Sequence, residues 1–216
     1  MQPDKIVFWD WNGTLLDDVD FTLSCLNWLL ARHDYPQRYD LAAYREVFGF
    51  PIEDYYRRAG FDFARHPYPV LARRFMDRYN AGVAACAPFA QAAGVLSALA
   101  QQGWSQVVLS ASRQDYLIEQ VSQRGLAGYF TELLGLQDIY GAGKVQRGRD
   151  WLRSLDTAPE RCVMVGDTLH DAEVAQALGA QCVLYTGGHQ SRERLAAACP
   201  HVIDRLDALP ALLRQL

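Results

Sequence analysis

An apolar run, Lys5-Ile6-Val7-Phe8-Trp9, ends in Asp10-Trp11-Asn12-Gly13-Thr14-Leu15-Leu16-Asp17. A carboxylate at the tip of a strand can attack phosphorus and form an aspartyl phosphate, dividing one hard displacement into two easier ones. Asp10 alone also reads as an ordinary turn residue. An amide, Asn12, stands where a second carboxylate would complete an acid/base pair with it.

Three further segments carry complementary chemistry. Ser110, in Leu109-Ser110-Ala111-Ser112, follows an apolar stretch and precedes helix-like periodicity, so its hydroxyl and the nearby amides can cradle an anion. Capping of that helix by Ser112 is the plainer reading, and the two are compatible. Lys144, in Gly141-Ala142-Gly143-Lys144-Val145, stands at an expected helix start, where a cation is misplaced unless an anion faces it. A solvated surface lysine is the alternative. Val163-Met164-Val165-Gly166-Asp167-Thr168-Leu169-His170-Asp171 runs an apolar strand into two carboxylates, Asp167 and Asp171, whose hard oxygens suit Mg²⁺ better than a soft metal. His170 beside them reads as a structural group, and the acids alone also suit the start of a helix.

These segments need a scaffold that brings their ends together. Strand-like runs at 6–9, 107–109, 162–165, 182–184 and 201–203 alternate with helical periodicity at about 89–102, 113–125, 144–155, 169–178 and 205–215. Such alternation implies an α/β fold with a doubly wound parallel sheet, which places ligands beyond the carboxyl ends of its strands. Between the first strand and Pro88 the pattern is helical only, with Leu23, Leu26, Leu29 and Leu30 on one face and Val70, Leu71, Phe75 and Tyr79 on another. The expected organisation is a core of residues 1–17 and 86–216 with an inserted all-helical domain over 18–85. Val47-Phe48-Gly49-Phe50-Pro51 forms a turn within that insertion.

Composition narrows the class. A formal charge of −4 and a pI near 5.7 argue against nonspecific nucleic-acid or anionic-membrane binding. Five scattered cysteines without a C-x-x-C pair read as reduced thiols of a cytoplasmic protein. No apolar span of 18 residues and no signal-peptide pattern is present, so neither membrane insertion nor secretion is expected. Lys5 and Lys144 are the only lysines.

Nucleophile, hydroxyl, lysine and paired acids in this chain order resemble the haloacid dehalogenase superfamily of phosphohydrolases along essentially the whole chain. Its D-x-D-G-T-L-x-D box matches Asp10 through Asp17 except at Asn12. The hydroxyl motif falls on Ser110, the lysine motif on Lys144 and the G-D-x-x-x-D motif on Asp167 and Asp171. The helical insertion, with Gly49-Phe50-Pro51, is similar to the cap of the phosphoglycolate phosphatase-like branch. The resemblance implies a Mg²⁺-dependent phosphatase acting on a small phosphorylated metabolite, as a monomer or weak homodimer. Asp10, Asn12, Ser110 and Lys144 would carry catalysis. Asp10, Asp167, Asp171 and the main-chain carbonyl of Asn12 would hold the metal, and Thr14, Ser110, Ala111, Lys144 and Phe50 would contact substrate.

Asn12 bears on activity because an amide cannot protonate a leaving alcohol or activate water. General acid/base catalysis contributes ~10²–10⁴-fold, about 3–5 kcal/mol. Three readings follow: selectivity for leaving groups that need little protonation, replacement of the missing group by Asp17, Asp18 or His170, or a phospholigand-binding or regulatory module with weak turnover. A phosphonatase would need a lysine in the insertion, which has none, and a dehalogenase would not need Asp167 and Asp171. Arg45, Arg57, Arg58, Arg73, Arg74 and Arg78 of the insertion are candidates for a second anionic group of the substrate, although such residues more often face solvent.

Overall fold

The computed structural model describes residues 5–140, 143–155 and 159–216, so Met1 to Asp4, and Gly141 and Ala142 of the lysine segment, lie outside the described residues. The first strand, β1 (Ile6–Trp9), is buried along its whole length and pairs in parallel with β2 (Ser105–Arg113) and β4 (Cys162–Gly166). With β3 (Glu132–Leu136), β5 (Gln181–Tyr185) and β6 (Val202–Ile203) it forms the sheet β3-β2-β1-β4-β5-β6. The expected doubly wound parallel sheet is therefore observed. The chain winds outward from β1 to β3, then returns beside β1 and winds the other way. That reversal leaves a crevice beyond the carboxyl ends of β1 and β4.

Period-two alternation sends the side chains of β1 to opposite layers. Val7 and Trp9 pack with Val95, Leu96 and Leu99 of α5 (Ala92–Gln101) and with Leu117 and Val121 of α6 (Gln114–Gln123). Ile6 and Phe8 pack with Leu152 of α7 (Lys144–Arg153) and with Val174 and Leu178 of α8 (Leu169–Leu178). Each such side chain taken fully from water contributes about 1.5–3 kcal/mol, so β1 is a rigid base for the loop it carries. Buried indoles need acceptors. Trp9 donates to Gln106 at 3.1 Å and Trp11 to Gln120 at 2.9 Å.

Three expectations are corrected. The sequence reading found no strand at 132–136, yet β3 is there, an edge strand whose first residue is exposed. The second strand continues through Ser110 to Arg113 past a register shift, because the Gln114 side chain ties the region to β3 through Gly135 N (2.6 Å) and the Leu133 carbonyl (2.8 Å). The helix expected over 205–215 is instead a 3₁₀ turn at 206–208 followed by a short helix, Leu209–Leu212, with Pro210 in its first turn.

Between β1 and α5 lie α1 (Val19–Arg32), α2 (Leu41–Val47), α3 (Ile52–Arg58) and α4 (Tyr68–Gly82). They share a core of their own, built on Leu26, Leu29, Leu30, Tyr44, Tyr55, Tyr56 and Leu71. The helix α2 starts where Asp40 accepts from the Ala43 amide at 2.8 Å. The α2–α3 turn is fastened to the segment after β5. Arg45 donates to the carbonyls of Gly187 and Gly188 at 3.2 and 3.0 Å, and Arg194 and Gln190 donate to the Phe48 carbonyl at 2.8 and 3.0 Å. Among the described residues no helix is long and apolar enough to cross a membrane, and none of the five cysteines is in a disulfide.

Candidate active site

Asp10 follows β1 and Asp167 follows β4, so the two central strands deliver carboxylates to the crevice. The Asp10 amide donates to the Val165 carbonyl at 2.8 Å, which continues the ladder one residue past the strand and fixes where its side chain starts. Asp10, Asp167 and Asp171 each offer an oxygen within 4.8 Å of the others, and all three are enclosed. Lys144, the first residue of α7 and 2% exposed, sits between two of them, with Nζ 2.6 Å from Asp10 Oδ1 and 2.6 Å from Asp171 Oδ1. The lysine that looked misplaced at a helix start thus faces two anions.

The other oxygen of Asp171 ties the loop together. Its Oδ2 accepts from the amides of Asp167 and Thr168 at 3.2 and 3.0 Å and from the Thr168 hydroxyl at 2.7 Å, so it caps α8 while Oδ1 holds Lys144. Asp167 accepts from the Thr14 hydroxyl at 2.8 Å and from the His189 amide at 2.6 Å. Glycine is required at 188, where a Cβ would lie 2.1 Å from Asp167 Oδ2, and Gly13 turns with φ +71° beneath the same carboxylate.

Three carboxylates against one ammonium leave two negative charges in an enclosed site. Burial drives the Asp10 carboxyl up to about 7; Lys144 opposes this, and repulsion from Asp171 and Asp167 adds to it. Burial likewise raises Asp167 to about 6, against the pull of His189 and with repulsion from Asp171. Burial also works against an ionised Asp171, but Lys144 and Thr168 hold it below the usual carboxylate range. Uncompensated hard-oxygen donors at this spacing fit a divalent cation of the Mg²⁺ type.

Asn12 is wired into a separate network. Its Nδ2 donates to Asp18 Oδ2 at 3.0 Å and to the Tyr79 hydroxyl at 2.7 Å, and its Oδ1 accepts from Ser112 Oγ at 2.8 Å. Asp18 is 1% exposed and also accepts from Tyr79 at 2.5 Å and from the Gly13 amide at 2.8 Å. His189 Nε2 stands 3.5 Å from Asp18 Oδ1, and its Nδ1 is 2.8 Å from the Tyr44 hydroxyl. Burial opposes both charges, yet His189, Tyr79 and Asn12 keep Asp18 low, and Asp18 keeps His189 high. Asn12 therefore supplies both amide hydrogens to an ionised pair region. Ser112, expected as a helix cap, serves this network instead.

A cavity of about 160 Å³ opens over this floor. Asp10, Asn12, Ser110, Ala111, Lys144 and Asp171 line it from the core, and Phe50 lines it from the insertion. Thr14, expected against substrate, is fully buried and absent from the lining; its hydroxyl orients Asp167. Asp17 faces solvent. His170 stacks on Phe50 with ring centroids 4.5 Å apart and has Glu173 3.0 Å from Nδ1, so it helps seat the turn.

Residues 7–185 match the model of the haloacid dehalogenase-like hydrolase family. The chain belongs to that family. This haloacid dehalogenase-like hydrolase is 25% identical over 221 residues to the phosphoglycolate phosphatase of Synechococcus elongatus, covering 98% of this chain and 100% of that protein. A predicted phosphatase from Clostridium acetobutylicum superposes with TM-score 0.83 at 22% identity, covering 98% of this chain and 99% of that one. CbbY from Rhodobacter sphaeroides, solved in complex with xylulose-(1,5)bisphosphate, superposes with TM-score 0.70 at 21% identity over 95% of each chain. The activity class is that of a phosphoric monoester hydrolase.

Asp18 stood among the candidates to replace the missing acid/base group, whereas Tyr79 and His189 had no expected role at this hydrolase's site. Tyr79 reads as one more apolar position of α4. His189 did leave a signal: it follows Gly187-Gly188 directly after a buried strand, where close backbone approach to a site is common.

Proposed function

We propose that this chain is a Mg²⁺-dependent phosphatase that hydrolyses a small phosphorylated metabolite through an aspartyl phosphate on Asp10. One observation carries the reading: an enclosed lysine bridges Asp10 and Asp171 at 2.6 Å each at the floor of a cavity, with Asp167 completing a cluster of three carboxylates behind them. Asp10, Asp167 and the main-chain carbonyl of Asn12 would hold Mg²⁺, with Asp171 beside them. The cation supplies charge neutralisation that lets a phosphate dianion enter a site already carrying two negative charges. Lys144 favours the ionised form of Asp10 against the effect of burial and pairs with a phosphate oxygen. Ser110 and the Ala111 amide hold the remaining oxygens near the start of α6. The insertion over residues 18–85 acts as the cap, with Phe50 reaching over the floor, and five cysteines outside any disulfide suit a reducing cytoplasm.

Asn12 shapes the chemistry. Its two amide hydrogens are committed to Asp18 and Tyr79, and it has no proton to exchange with a leaving oxygen. The reaction is therefore selective for leaving groups that depart without protonation. The same residue favours a second reading, a phospholigand-binding module with little turnover. Incubation with Mg²⁺ and an aryl phosphate separates the two. Turnover that is abolished in Asp10→Asn supports the enzyme, whereas binding of inorganic phosphate with no Asp10-dependent turnover supports the module.

A further inference from the structure

The wall opposite the catalytic floor is apolar. Phe50, Ile52, Tyr56, Phe75 and Met76 face the cavity from the α2–α3 turn, α3 and α4. Rings offered to such a wall gain offset or edge-on aromatic contacts beyond simple burial.

The candidate arginines of the insertion are not there. Arg45 is held by the carbonyls of Gly187 and Gly188, Arg57 pairs with Glu53 and Asp54, and Arg58 donates to the Val47 carbonyl at 3.1 Å. Arg74 lies 2.9 Å from His33 Nε2, Arg78 stands over the Trp28 ring, and Arg73 is exposed. The cationic side chains that do line the cavity are already engaged. Lys144 is shared by Asp10 and Asp171, His189 faces Asp18, and Arg113 is clamped by Asp115 at 2.6 and 2.5 Å with its guanidinium over Tyr116. A carboxylate or second phosphate on the leaving group would enter this wall without a partner, and an unpaired buried charge is strongly disfavoured.

We infer that the leaving group is an uncharged aromatic alcohol, so that the substrate is an aryl phosphate monoester and not a carboxylated or doubly phosphorylated compound. This rests on the phosphatase reading and names its substrate class. An Asp10 oxygen attacks phosphorus, the bond from phosphorus to the aryl oxygen breaks, and the electron pair leaves on the aryloxide, which takes its proton from solvent. Water then attacks phosphorus, the bond to Asp10 breaks, and inorganic phosphate leaves with the carboxylate restored and a proton released. The first step asks nothing of Asn12 that an amide cannot give.

Steady-state kinetics with Mg²⁺ on phenyl phosphate, benzyl phosphate and 2-phosphoglycolate test this. Benzyl phosphate and phosphoglycolate both release an alkoxide, so they compare ring with carboxylate at similar leaving-group demand. Benzyl phosphate is expected to show a KM at least about tenfold lower, the scale of selectivity a hydrophobic pocket provides. Phenyl phosphate should match benzyl in KM and exceed it in kcat. In Met76→Arg, which places a cation in the half-buried wall, the preference for benzyl phosphate should fall at least about tenfold. Phosphoglycolate turned over with equal or lower KM than benzyl phosphate overturns the inference while leaving the phosphatase reading intact. Absence of Asp10-dependent turnover on all three compounds overturns both.

Discussion

Replacing Asn12 by aspartate places a carboxylate oxygen where the amide nitrogen stands, 3.0 Å from Asp18 Oδ2 and 2.7 Å from the Tyr79 hydroxyl. Two full negative charges at that separation repel by about 5 kcal/mol at an effective dielectric of about 20. At ~1.4 kcal/mol per decade this is more than three decades of proton affinity. The pair therefore retains one shared proton far above the usual carboxylate range, as two carboxylates sharing a site do. A folded-state pKa raised above its unfolded value contributes stability in full below about pH 4, and that contribution is lost as pH rises through the raised value. The stability deficit of Asn12→Asp relative to the parent should accordingly grow between pH 5 and pH 8, by up to about 4 kcal/mol for one proton at ~1.4 kcal/mol per pH unit, in denaturant titrations. The retained proton is also the acid that the parent lacks. Turnover of benzyl phosphate near neutral pH should rise by ~10²–10⁴, while phenyl phosphate, whose aryloxide leaves unaided, gains only at hydrolysis of the aspartyl phosphate, where the new carboxylate activates water. Unchanged turnover of benzyl phosphate would refute the claim that Asn12 limits the chemistry. A pH-independent stability difference would refute the placement of Asn12 against an ionised Asp18.

Two other perturbations probe the charge balance. Lys144→Met leaves Asp10 and Asp171 buried without their shared cation, so turnover should be lost and stability at pH 7 should fall by about 3–5 kcal/mol; a denaturation midpoint close to the parent's would show that the lysine does not neutralise them. Raised pKa values at Asp10 and Asp167 mean that the metal-free protein loses stability as pH rises from about 4 towards 7. Mg²⁺ competes with those protons, so the melting-temperature gain on adding Mg²⁺ over EDTA should be small at pH 5 and larger above pH 7. An equal gain at both pH values would place the cation elsewhere.

The sheet was legible where strands carry buried apolar runs, because β1, β4 and β5 present such runs with a polar or glycine stop at or just beyond their ends. An edge position hid β3, whose Glu132 and Gly135 interrupt any apolar run, and Pro210 split a segment whose periodicity suited one long helix. The candidate site residues Asp10, Ser110, Lys144 and Asp167 could be found because each breaks a local rule or ends an apolar run. Thr14 could not be placed from sequence, since its distance to Asp167 depends on the pairing of β1 with β4. Asp18, Tyr79 and His189 meet only through contacts 61 to 171 residues apart, and each has an ordinary explanation on its own segment.

Asn12 is better understood as a displaced charge than as a missing one. A carboxylate at position 12 would stand at the edge of the cavity and exchange protons there. In this chain the carboxylate stands at position 18, withdrawn from solvent, paired with His189 and fed by both Asn12 and Tyr79. Such a group is held ionised by its surroundings and is poorly suited to cycling a proton during turnover. The cap wall presents the matching restriction, because it offers rings where a charged leaving group would need a cation. Aromatic alcohols meet both conditions at once: their oxyanions leave without an acid, and their rings need no counter-ion. The amide at position 12 and the apolar residues from the insertion lie far apart in sequence, yet they constrain the same departing molecule.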